Sequence, residues 1–405
     1  MRKAFKYRLR PTRPQRRMLE AMLTDHAELY NAALEERRTA WSKAGVSITY
    51  TQQSAQLKHI RRDDTEGQGR WSFSSQQATL RRLNRAFENF FRRVRQGQTP
   101  GFPRFRSRHR FDSVTWPSDG DGCKWIDGDT KNDGVSRVRL QGVGTVRVHR
   151  HRPTAGRIKT LTVKREGPKW YLVLSVETAL PDEVEKTTQA TGVDMGVTHF
   201  ATTAQGEHVT NNRALENSEE KLASAQRALA RYPRSRKGDD RSSRHRQAAR
   251  KVAKLHRKVA DTRRDYAHKT ALELVRRFDV IAVEKLSIQN MTKAPAPKPD
   301  PGNPGQYLPN GAANKAVLNK RIVDAAWGQF IAILTAKAEW AGREVRTVDP
   351  RNTSRTCFEC KHVDAASRDG EKFECTACGH TDHADVNAAK NIAYRAGLVL
   401  GGHGI

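Results

Sequence analysis

The chain has 405 residues, and its 74 Lys and Arg against 44 Asp and Glu give a formal net charge of +30. This surplus excludes most metabolic enzymes as the default interpretation and favours a polyanionic partner, of which nucleic acid is the commonest. The alternative is a merely basic, soluble protein. With 36% apolar residues the chain can form modest hydrophobic cores, and its length allows about two to four domains.

The cysteine pattern and the N-terminal residues indicate the cellular compartment in which we expect the protein. Five cysteines, four of them within the last fifty residues, do not form the pattern of a secreted disulfide framework. The N-terminus carries charges where a signal peptide needs its apolar run, and no stretch approaches the ~18 apolar residues of a membrane helix. The sequence therefore predicts a cytoplasmic protein with no membrane partner.

The first half of the chain alternates between strand and helix patterns. Residues 3–9 alternate as a strand, and Thr12 with Gln15 forms a capping box that starts a helix. Two apolar stripes predict helices between residues 11 and about 98; they are Met18, Met22, Tyr30 and Leu34, and then Leu80, Leu83, Phe87, Phe91 and Val94. Residues 135–178 return to alternation, which predicts a small antiparallel sheet or barrel. We expect the strand at 3–9 to join it, so the helical unit is an insertion.

The second half predicts an α/β sheet domain, because buried strands alternate with helices. The predicted elements are a buried strand at Gly192–Val197, a strand at His199–Thr203, two helices within 213–277, a buried strand at Val280–Glu284, a loop at Ala294–Gly305, a packed helix around Trp327, Phe330, Ile331 and Leu334, and a strand at Glu344–Val348. An interruption at Pro233–Gly238 separates the two helices within 213–277.

The most specific motif is a pair of Cys-x-x-Cys knuckles, formed by Cys357 with Cys360 and by Cys375 with Cys378. This spacing is typical of a zinc ribbon. Four thiolates complete a tetrahedron, so a structural zinc ion is favoured over a catalytic one. Cys123 stands alone and is interpreted as a bystander.

Three carboxylates stand on separate predicted elements of the second half. Asp194 lies within an apolar strand, Glu284 ends another strand, and Asp385 opens a helical run. Each has an ordinary explanation, since a buried Asp can accept backbone amides and an Asp before a helix can cap it. Together they could instead hold two Mg²⁺ ions, which prefer oxygen ligands and support in-line attack on a phosphodiester.

Aromatic and basic residues interleave in the segment 101–111. Arg104, Arg106 and Arg108 alternate with rings that can stack on bases, while the guanidinium groups can bind phosphates. The alternative is a basic linker with apolar anchors. We favour contact with the nucleic-acid backbone.

Further short motifs extend along the chain. They are Arg8–Thr12 with Gln15, Tyr30–Asn31, Arg85–Phe87, Phe90–Arg93, Gly101–Phe105, Gly192–Gly196, Asp265 with His268 and Lys269, Val283–Leu286, Asp324–Trp327, Val348–Pro350, Thr353–Ser354 and Asp385–Ala389. In combination they resemble the TnpB family, the RNA-guided nucleases of bacterial and archaeal insertion sequences that are related to compact type V CRISPR effectors. The resemblance runs nearly end to end.

The resemblance implies a multidomain α+β fold. It assigns residues 1–10 and 113–186 to a wedge-like β-barrel and 11–112 to an inserted helical recognition domain. Residues 187–352 and 382–405 become a RuvC-type, RNase H-like α/β nuclease domain, and 353–381 the zinc ribbon inserted in it, a module that binds target nucleic acid.

The resemblance also implies the activity and its parts. A transposon-derived guide RNA pairs with target DNA, the barrel and recognition domains read a short motif beside the target, and both strands are cut. Asp194, Glu284 and Asp385 take the catalytic role and bind two Mg²⁺ ions, and the four cysteines bind structural Zn²⁺. The Tyr30–Asn31 pair is predicted to contact nucleic acid together with the three arginines. The transposase of the same mobile element is a further candidate partner.

Three features depart from the family pattern. His383-Ala384-Asp385 stands where the family commonly has Asp-Arg-Asp, and Lys361 stands where the first knuckle usually has Gly. The segment from Thr292 to Ala313 is longer than typical, so it is either a lid over the cleft or a disordered connector.

Other functions remain open at this stage. A CRISPR-associated effector of the same fold, a nuclease-inactive RNA-guided repressor and a conventional transposase are the alternatives. The intact acidic triad argues against the repressor, and a transposase leaves the barrel, the inserted helices and the ribbon without a role.

Overall fold

The computed structural model describes residues 2–107, 110–128, 134–179, 185–233, 242–303 and 305–399. The chain divides into two compact units, Met1–Leu180 and Pro181–Ile405. In the part of the chain that the structure describes, no helix combines the length and the apolar character needed to cross a bilayer.

The first unit is built on a seven-stranded antiparallel sheet. Its strands are β1 (Arg2–Arg10), β2 (Ser113–Trp116), β3 (Cys123–Ile126), β4 (Arg137–Leu140), β5 (Gly144–His149), β6 (Arg157–Glu166) and β7 (Lys169–Glu177). They lie in the order β2-β6-β7-β1-β5-β4-β3. β1 pairs with β7 and β5, which confirms that the N-terminal strand joins the sheet formed after residue 112. Alternate residues such as Tyr7, Val146 and Leu172 point into a common core.

Three helices lie between β1 and β2 in the sequence: α1 (Arg13–Ala44), α2 (Tyr50–Asp63) and α3 (Phe73–Arg95). Thr12 and Gln15 form the predicted capping box at the start of α1. The apolar stripe of α3 is only half correct, because Leu80 and Leu83 are buried while Phe91 and Val94 are 55% and 50% exposed. The last turns of α3 extend beyond the core and carry Arg92, Arg93 and Arg95.

The second unit contains a five-stranded sheet and smaller hairpins. Its strands are β8 (Ala190–Asp194), β9 (His199–Thr203), β10 (His208–Thr210), β11 (Val280–Glu284), β12 (Lys298–Pro299), β13 (Tyr307–Leu308), β14 (Glu344–Val348), β15 (Arg368–Asp369), β16 (Lys372–Glu374) and β17 (Thr381–His383). The main sheet has the order β10-β9-β8-β11-β14. β8, β11 and β14 run parallel, whereas β9 is antiparallel to β8.

Helices cover both faces of this sheet. They are α4 (Glu219–Ala230), α5 (Ser243–Arg277), α6 (Ile288–Met291), α7 (Ala312–Ala325), α8 (Trp327–Trp340) and α9 (Ala384–Arg395). Ile281 and Val283 pack with α5 and α8, whereas Ala282 packs with Ile392 of α9. Because successive strand residues point to opposite faces, α9 lies on the face opposite to α5 and α8.

Two sequence predictions for this unit need correction. The strand predicted over Gly192–Val197 ends at Asp194, so Asp194 is the last residue of β8 and not a mid-strand residue. The predicted loop after Glu284 contains the short β12–β13 hairpin, and α7 begins at Ala312. The interruption predicted at Pro233–Gly238 falls largely outside the described residues, between α4 and α5.

Candidate active site

The sheet register brings Asp194 and Glu284 together. Val193 of β8 pairs with Val283 of the parallel strand β11, so the next residue of each strand, Asp194 and Glu284, lies at the same carboxyl edge. Glu284 is only 7% exposed. An open α/β sheet binds its ligands at this edge.

Helix α9 brings the third carboxylate to the same place. Asp385 lies in its first turn and His383 is its N-cap, so the helix dipole favours a negative charge at Asp385. Gly192 explains the close approach of α9 to β8, since a Cβ there would lie 2.0 Å from the backbone oxygen of Ala389. Gly192 and Ala389 belong to the Gly192–Gly196 and Asp385–Ala389 motifs, and their small side chains had no role assigned from the sequence.

The three carboxylates form one electrostatic cluster. Burial, followed by the charges of Glu284 and Asp385, raises the pKa of Asp194 to about 7. Burial also raises the pKa of Glu284. The structure therefore gathers all three predicted acids, and their charges destabilise one another where no cation compensates them.

Two residues that sequence analysis missed hold these acids. Arg368, on β15, donates from its Nη2 atom to Oδ1 of Asp385 over 2.9 Å. Thr353 donates from its hydroxyl to Glu284. Their roles depend on contacts between distant segments, and only Thr353 lay within a quoted motif, so a signal existed for Thr353 alone.

The cysteine knuckles converge as predicted. The Sγ atoms of Cys357 and Cys378 lie 3.8 Å apart, and those of Cys360 and Cys375 lie 3.5 Å apart. Four sulfurs at about 2.3 Å from a tetrahedral zinc ion are separated by about 3.8 Å. The backbone amides of the second knuckle, that of Cys378 above all, lower the pKa of Cys375 to about 6, whereas the pKa values of Cys357 and Cys378 are raised. Cys375 is therefore the thiol of these three that loses its proton most readily.

Lys361 does not alter the first knuckle. Its φ of 63° matches the 72° of Gly379, which occupies the corresponding position of the second knuckle. Its ammonium lies 4.2 Å from the ring centre of Phe358 and 4.0 Å from that of Tyr394. These cation–π contacts help to stabilise a left-handed conformation that a non-glycine residue adopts at a cost.

Helix α9 connects the ribbon to the carboxylates. Asn387 accepts a hydrogen bond from the amide of Phe358 and donates to the carbonyl of Thr356. Asn391, one turn later on the same face, donates to the carbonyls of Thr353 and Thr356. The helix that carries Asp385 therefore also anchors the first knuckle.

The residues of the first unit that are predicted to contact nucleic acid differ in their exposure to solvent. Arg104 and Arg106 are exposed, whereas Arg108 lies outside the described residues. Tyr30 is only 2% exposed and packs near Phe111, so its side chain belongs to the core of this unit, and its contact with nucleic acid stays a prediction. The side chain of Asn31 accepts from the amide of Arg106 and donates to its carbonyl, which makes Asn31 a support of the arginine segment.

We expect Arg104→Ala and Arg106→Ala each to weaken nucleic-acid binding several-fold at 150 mM salt, equally for all target sequences. Each lost phosphate contact should reduce the slope of log K against log salt by about one. Fluorescence anisotropy over a salt series measures both quantities. Arg62→Ala is the matched control, because Arg62 is exposed but already paired with Asp63 at 3.0 Å. A changed preference for the target-adjacent motif with an unchanged slope would show base reading instead.

Cysteine 123 is a buried thiol in the first unit. Burial raises its pKa to about 12, so the thiol is a poor nucleophile at neutral pH. This agrees with its interpretation as a bystander.

Comparison with known proteins decides the family. A model of the OrfB type from IS605 elements, described as "Probable transposase", matches residues 172–294, and a Cas12f1-like TNB domain model matches 327–392. A third model, described as a helix-turn-helix domain, matches residues 1–45, where the structure has β1 and the single long helix α1. The chain is 31% identical over 400 residues to "Putative RNA-guided DNA endonuclease InsQ" of Escherichia coli K12, covering 98% of this chain and 93% of that protein.

The chain belongs to the TnpB family. A "Putative RNA-guided DNA endonuclease" of Streptomyces pristinaespiralis is 29% identical over 395 residues, covering 97% of this TnpB-family chain and 89% of the relative. A solved Cas12f1–sgRNA–target DNA complex contains a protein chain with a TM-score of 0.55 and 15% identity, covering 93% of this chain and 82% of that one. That likeness shows the fold alone.

We expect Asp194→Asn to stabilise this TnpB-family protein when Mg²⁺ is absent. A folded-state pKa near 7, above the unfolded value of about 3.9, means that the Asp194 contribution to stability is present at acidic pH and is lost as the pH rises from about 4 to 7. At pH 8 the variant should therefore gain roughly 2–4 kcal/mol of unfolding free energy, and at pH 5 only about 1–2 kcal/mol.

Urea unfolding at both pH values, without added Mg²⁺, measures this gain. Asp261→Asn on α5 is the control, since the Asp261 side chain is 56% exposed. Equal effects of Asp194→Asn at pH 5 and pH 8 would contradict the electrostatic origin.

Proposed function

We propose that this protein is an RNA-guided DNA endonuclease that uses a transposon-derived guide RNA and a short target-adjacent motif to cut double-stranded DNA. The observation that carries the proposal is the meeting of Asp194, Glu284 and Asp385 at the carboxyl edge of the sheet, with the pKa of Asp194 raised to about 7. The name of the InsQ relative, an RNA-guided DNA endonuclease, supports guidance by RNA.

The residues present fit divalent magnesium. Their donors are carboxylate oxygens, which Mg²⁺ prefers, and their mutual repulsion is the condition that bound cations relieve. The carboxylate oxygens of these three described acids do not all lie within 4.8 Å of one another, so the acids are spaced more widely than the ligands of the cysteine cluster. A pair of ions about 3.5–4 Å apart spans a wider set of ligands than one ion does. We therefore infer that Asp194, Glu284 and Asp385 would together hold two Mg²⁺ ions.

When bound, such ions supply an activated water and neutralise charge on the attacked phosphate. The protein residues orient the acids: Thr353 holds one oxygen of Glu284, and Arg368 holds Oδ1 of Asp385. The guanidinium of Arg368 also places a fixed positive charge beside the acids, where a phosphodiester can accept its remaining hydrogen bonds.

The domain roles follow the same proposal. Residues 1–10 and 113–186 would form the wedge, 11–112 the recognition domain, 187–352 with 382–405 the RuvC-like nuclease, and 353–381 the zinc ribbon. The sulfur spacing in the ribbon supports a structural Zn²⁺. The basic segment with Arg104 and Arg106 supports contact with guide RNA or target DNA, and the transposase of the same element stays a proposed partner.

Plasmid cleavage tests the function. The full chain is co-expressed with the RNA transcribed from the end of its own element, and the purified complex is given Mg²⁺ and plasmids that carry a randomised sequence beside the target. We expect double-strand cuts only where the target matches the guide and only beside a subset of adjacent sequences. Equal cutting with a non-matching guide would show an unguided nuclease. Binding of the target without cutting at any Mg²⁺ concentration would show a repressor.

A further inference from the structure

A cluster of three imidazoles lies beside the carboxylates. The rings of His199 and His208 have centroids 4.3 Å apart, and those of His208 and His383 lie 4.4 Å apart. The three side chains come from β9, β10 and β17, and one ring nitrogen of each lies within 4.8 Å of the others. His199 and His383 are half-buried and His208 is exposed, so a solute can reach the cluster.

Hydrogen bonding accounts for only part of this arrangement. His199 Nδ1 is buried and has no hydrogen-bond partner within the described residues. Its nearest charged neighbour is Oδ2 of Asp385 at 3.9 Å. A buried ring nitrogen without a partner is costly, and three rings in contact repel one another if protonated.

We propose that His199, His208 and His383 bind a divalent transition-metal ion of the zinc class. Neutral imidazole nitrogens suit Zn²⁺, Co²⁺, Ni²⁺ and Cu²⁺, whereas Mg²⁺ takes oxygen ligands. Nitrogens bound to one tetrahedral zinc ion at about 2.0–2.1 Å lie about 3.4 Å apart. The upper bound of 4.8 Å on the observed spacing is wider, so the rings would move closer together to bind an ion. Three ligands leave a fourth position open.

Oxygen atoms lie beside Nδ1 of two of the rings, within hydrogen-bond distance of His208 and beyond it from His199. His208 Nδ1 lies 3.1 Å from the hydroxyl of Thr202, and His199 Nδ1 faces the carboxylate of Asp385. Metal-binding histidines usually donate from the second ring nitrogen to such oxygen atoms, which fixes the ring and leaves Nε2 for the ion. Asp385 would thus touch the proposed magnesium centre and support the histidine site.

Metal binding at His383 would compete with the hydrogen bond by which this residue caps α9. Its Nδ1 accepts the amide of Asp385 over 3.2 Å and caps α9. A neutral imidazole has one free lone pair, so an ion at either nitrogen of His383 removes this cap. Metal binding and the cap are therefore alternatives at the residue two positions before Asp385.

Metal analysis of the full chain tests the site. After equilibration with Zn²⁺ buffered at a low micromolar free concentration, we expect two zinc ions per chain, one in the ribbon and one in the histidine cluster. His208→Asn, a change at an exposed position, should reduce this to one, whereas His256→Asn on α5 should keep two, because His256 is an exposed imidazole outside the cluster. One zinc per wild-type chain, or two in both variants, would overturn the proposal.

Cobalt substitution separates the two sites by their ligands. The ribbon should give intense sulfur-to-cobalt charge-transfer absorption, and the histidine cluster only visible d–d bands. We expect His208→Asn and His199→Gln to lose the second set alone, with circular dichroism showing that both variants are folded. A second cobalt ion that adds charge-transfer intensity would place it on cysteines and refute the histidine site. None of these readouts depends on nuclease activity, so they stand apart from a failure of the proposed function.

Discussion

Replacing Asp194 by Ala should lower the rate of target cleavage by about 10³-fold or more, while guide and target binding change little. The charges of both Glu284 and Asp385 raise the pKa of Asp194, so its loss would remove one of the three carboxylates that would hold the metal ions. When catalytic residues act as a unit, replacing one of them removes most of the rate enhancement, and replacing a second one has little additional effect. Glu284→Ala and Asp385→Ala should therefore be equally inactive, and double variants little worse.

The measurement is a single-turnover cleavage assay beside a gel-shift assay of the same guide complex. Asp382→Asn is the matched control: it lies three residues before Asp385, but its carboxylate is already paired with Lys390 at 2.7 Å. We expect it to cut at a rate within a few-fold of wild type. Cleavage by the Glu284 variant at the wild-type rate would refute the assignment of the three acids. Inactivity of the Asp382 variant would indicate that Asp382, and not Asp385 alone, serves as the third ligand.

The second large effect is expected at the ribbon. Cys375→Ser should lose one zinc ion per chain and lower the thermal midpoint, because binding energy in a structural zinc site is folding energy. We also expect zinc loss to reduce cleavage, because Asn387 and Asn391 of α9 donate hydrogen bonds to the backbone carbonyls just before the first knuckle, those of Thr356 and Thr353. We expect cleavage to fall by at least tenfold at 37 °C.

Zinc content, the midpoint and cleavage are measured on the same preparation. Cys123→Ser is the control, because this buried thiol lies in the other unit and its Sγ bonds to the carbonyl of Ser118 at 3.4 Å. It should keep its full zinc content and its cleavage rate, although burial of a hydroxyl lowers its stability somewhat. Unchanged zinc content in Cys375→Ser would show that the four sulfurs do not hold a metal.

Local patterns determined much of this protein. The alternation at residues 3–9, the capping box of Thr12 and Gln15, the buried strand ending at Glu284 and the two Cys-x-x-Cys knuckles were all readable from the sequence and are present in the structure. These features depend on neighbours within a few residues, through side-chain period, cap geometry or ligand spacing. The family resemblance named the three acids in advance, although the local pattern placed Asp194 within its strand and not at the strand end.

Tertiary structure decided the rest, since it depends on contacts between residues far apart in the chain. Tyr30 lies in the core, Asn31 supports the arginine segment, and the last turns of α3 leave the core, although all three lie within helical patterns. Arg368 and Thr353 reach Asp385 and Glu284 over 17 and 69 residues of sequence. The histidine cluster likewise joins β9, β10 and β17. Sheet register and the packing of α9 at Gly192 create these neighbours, and no local period encodes them.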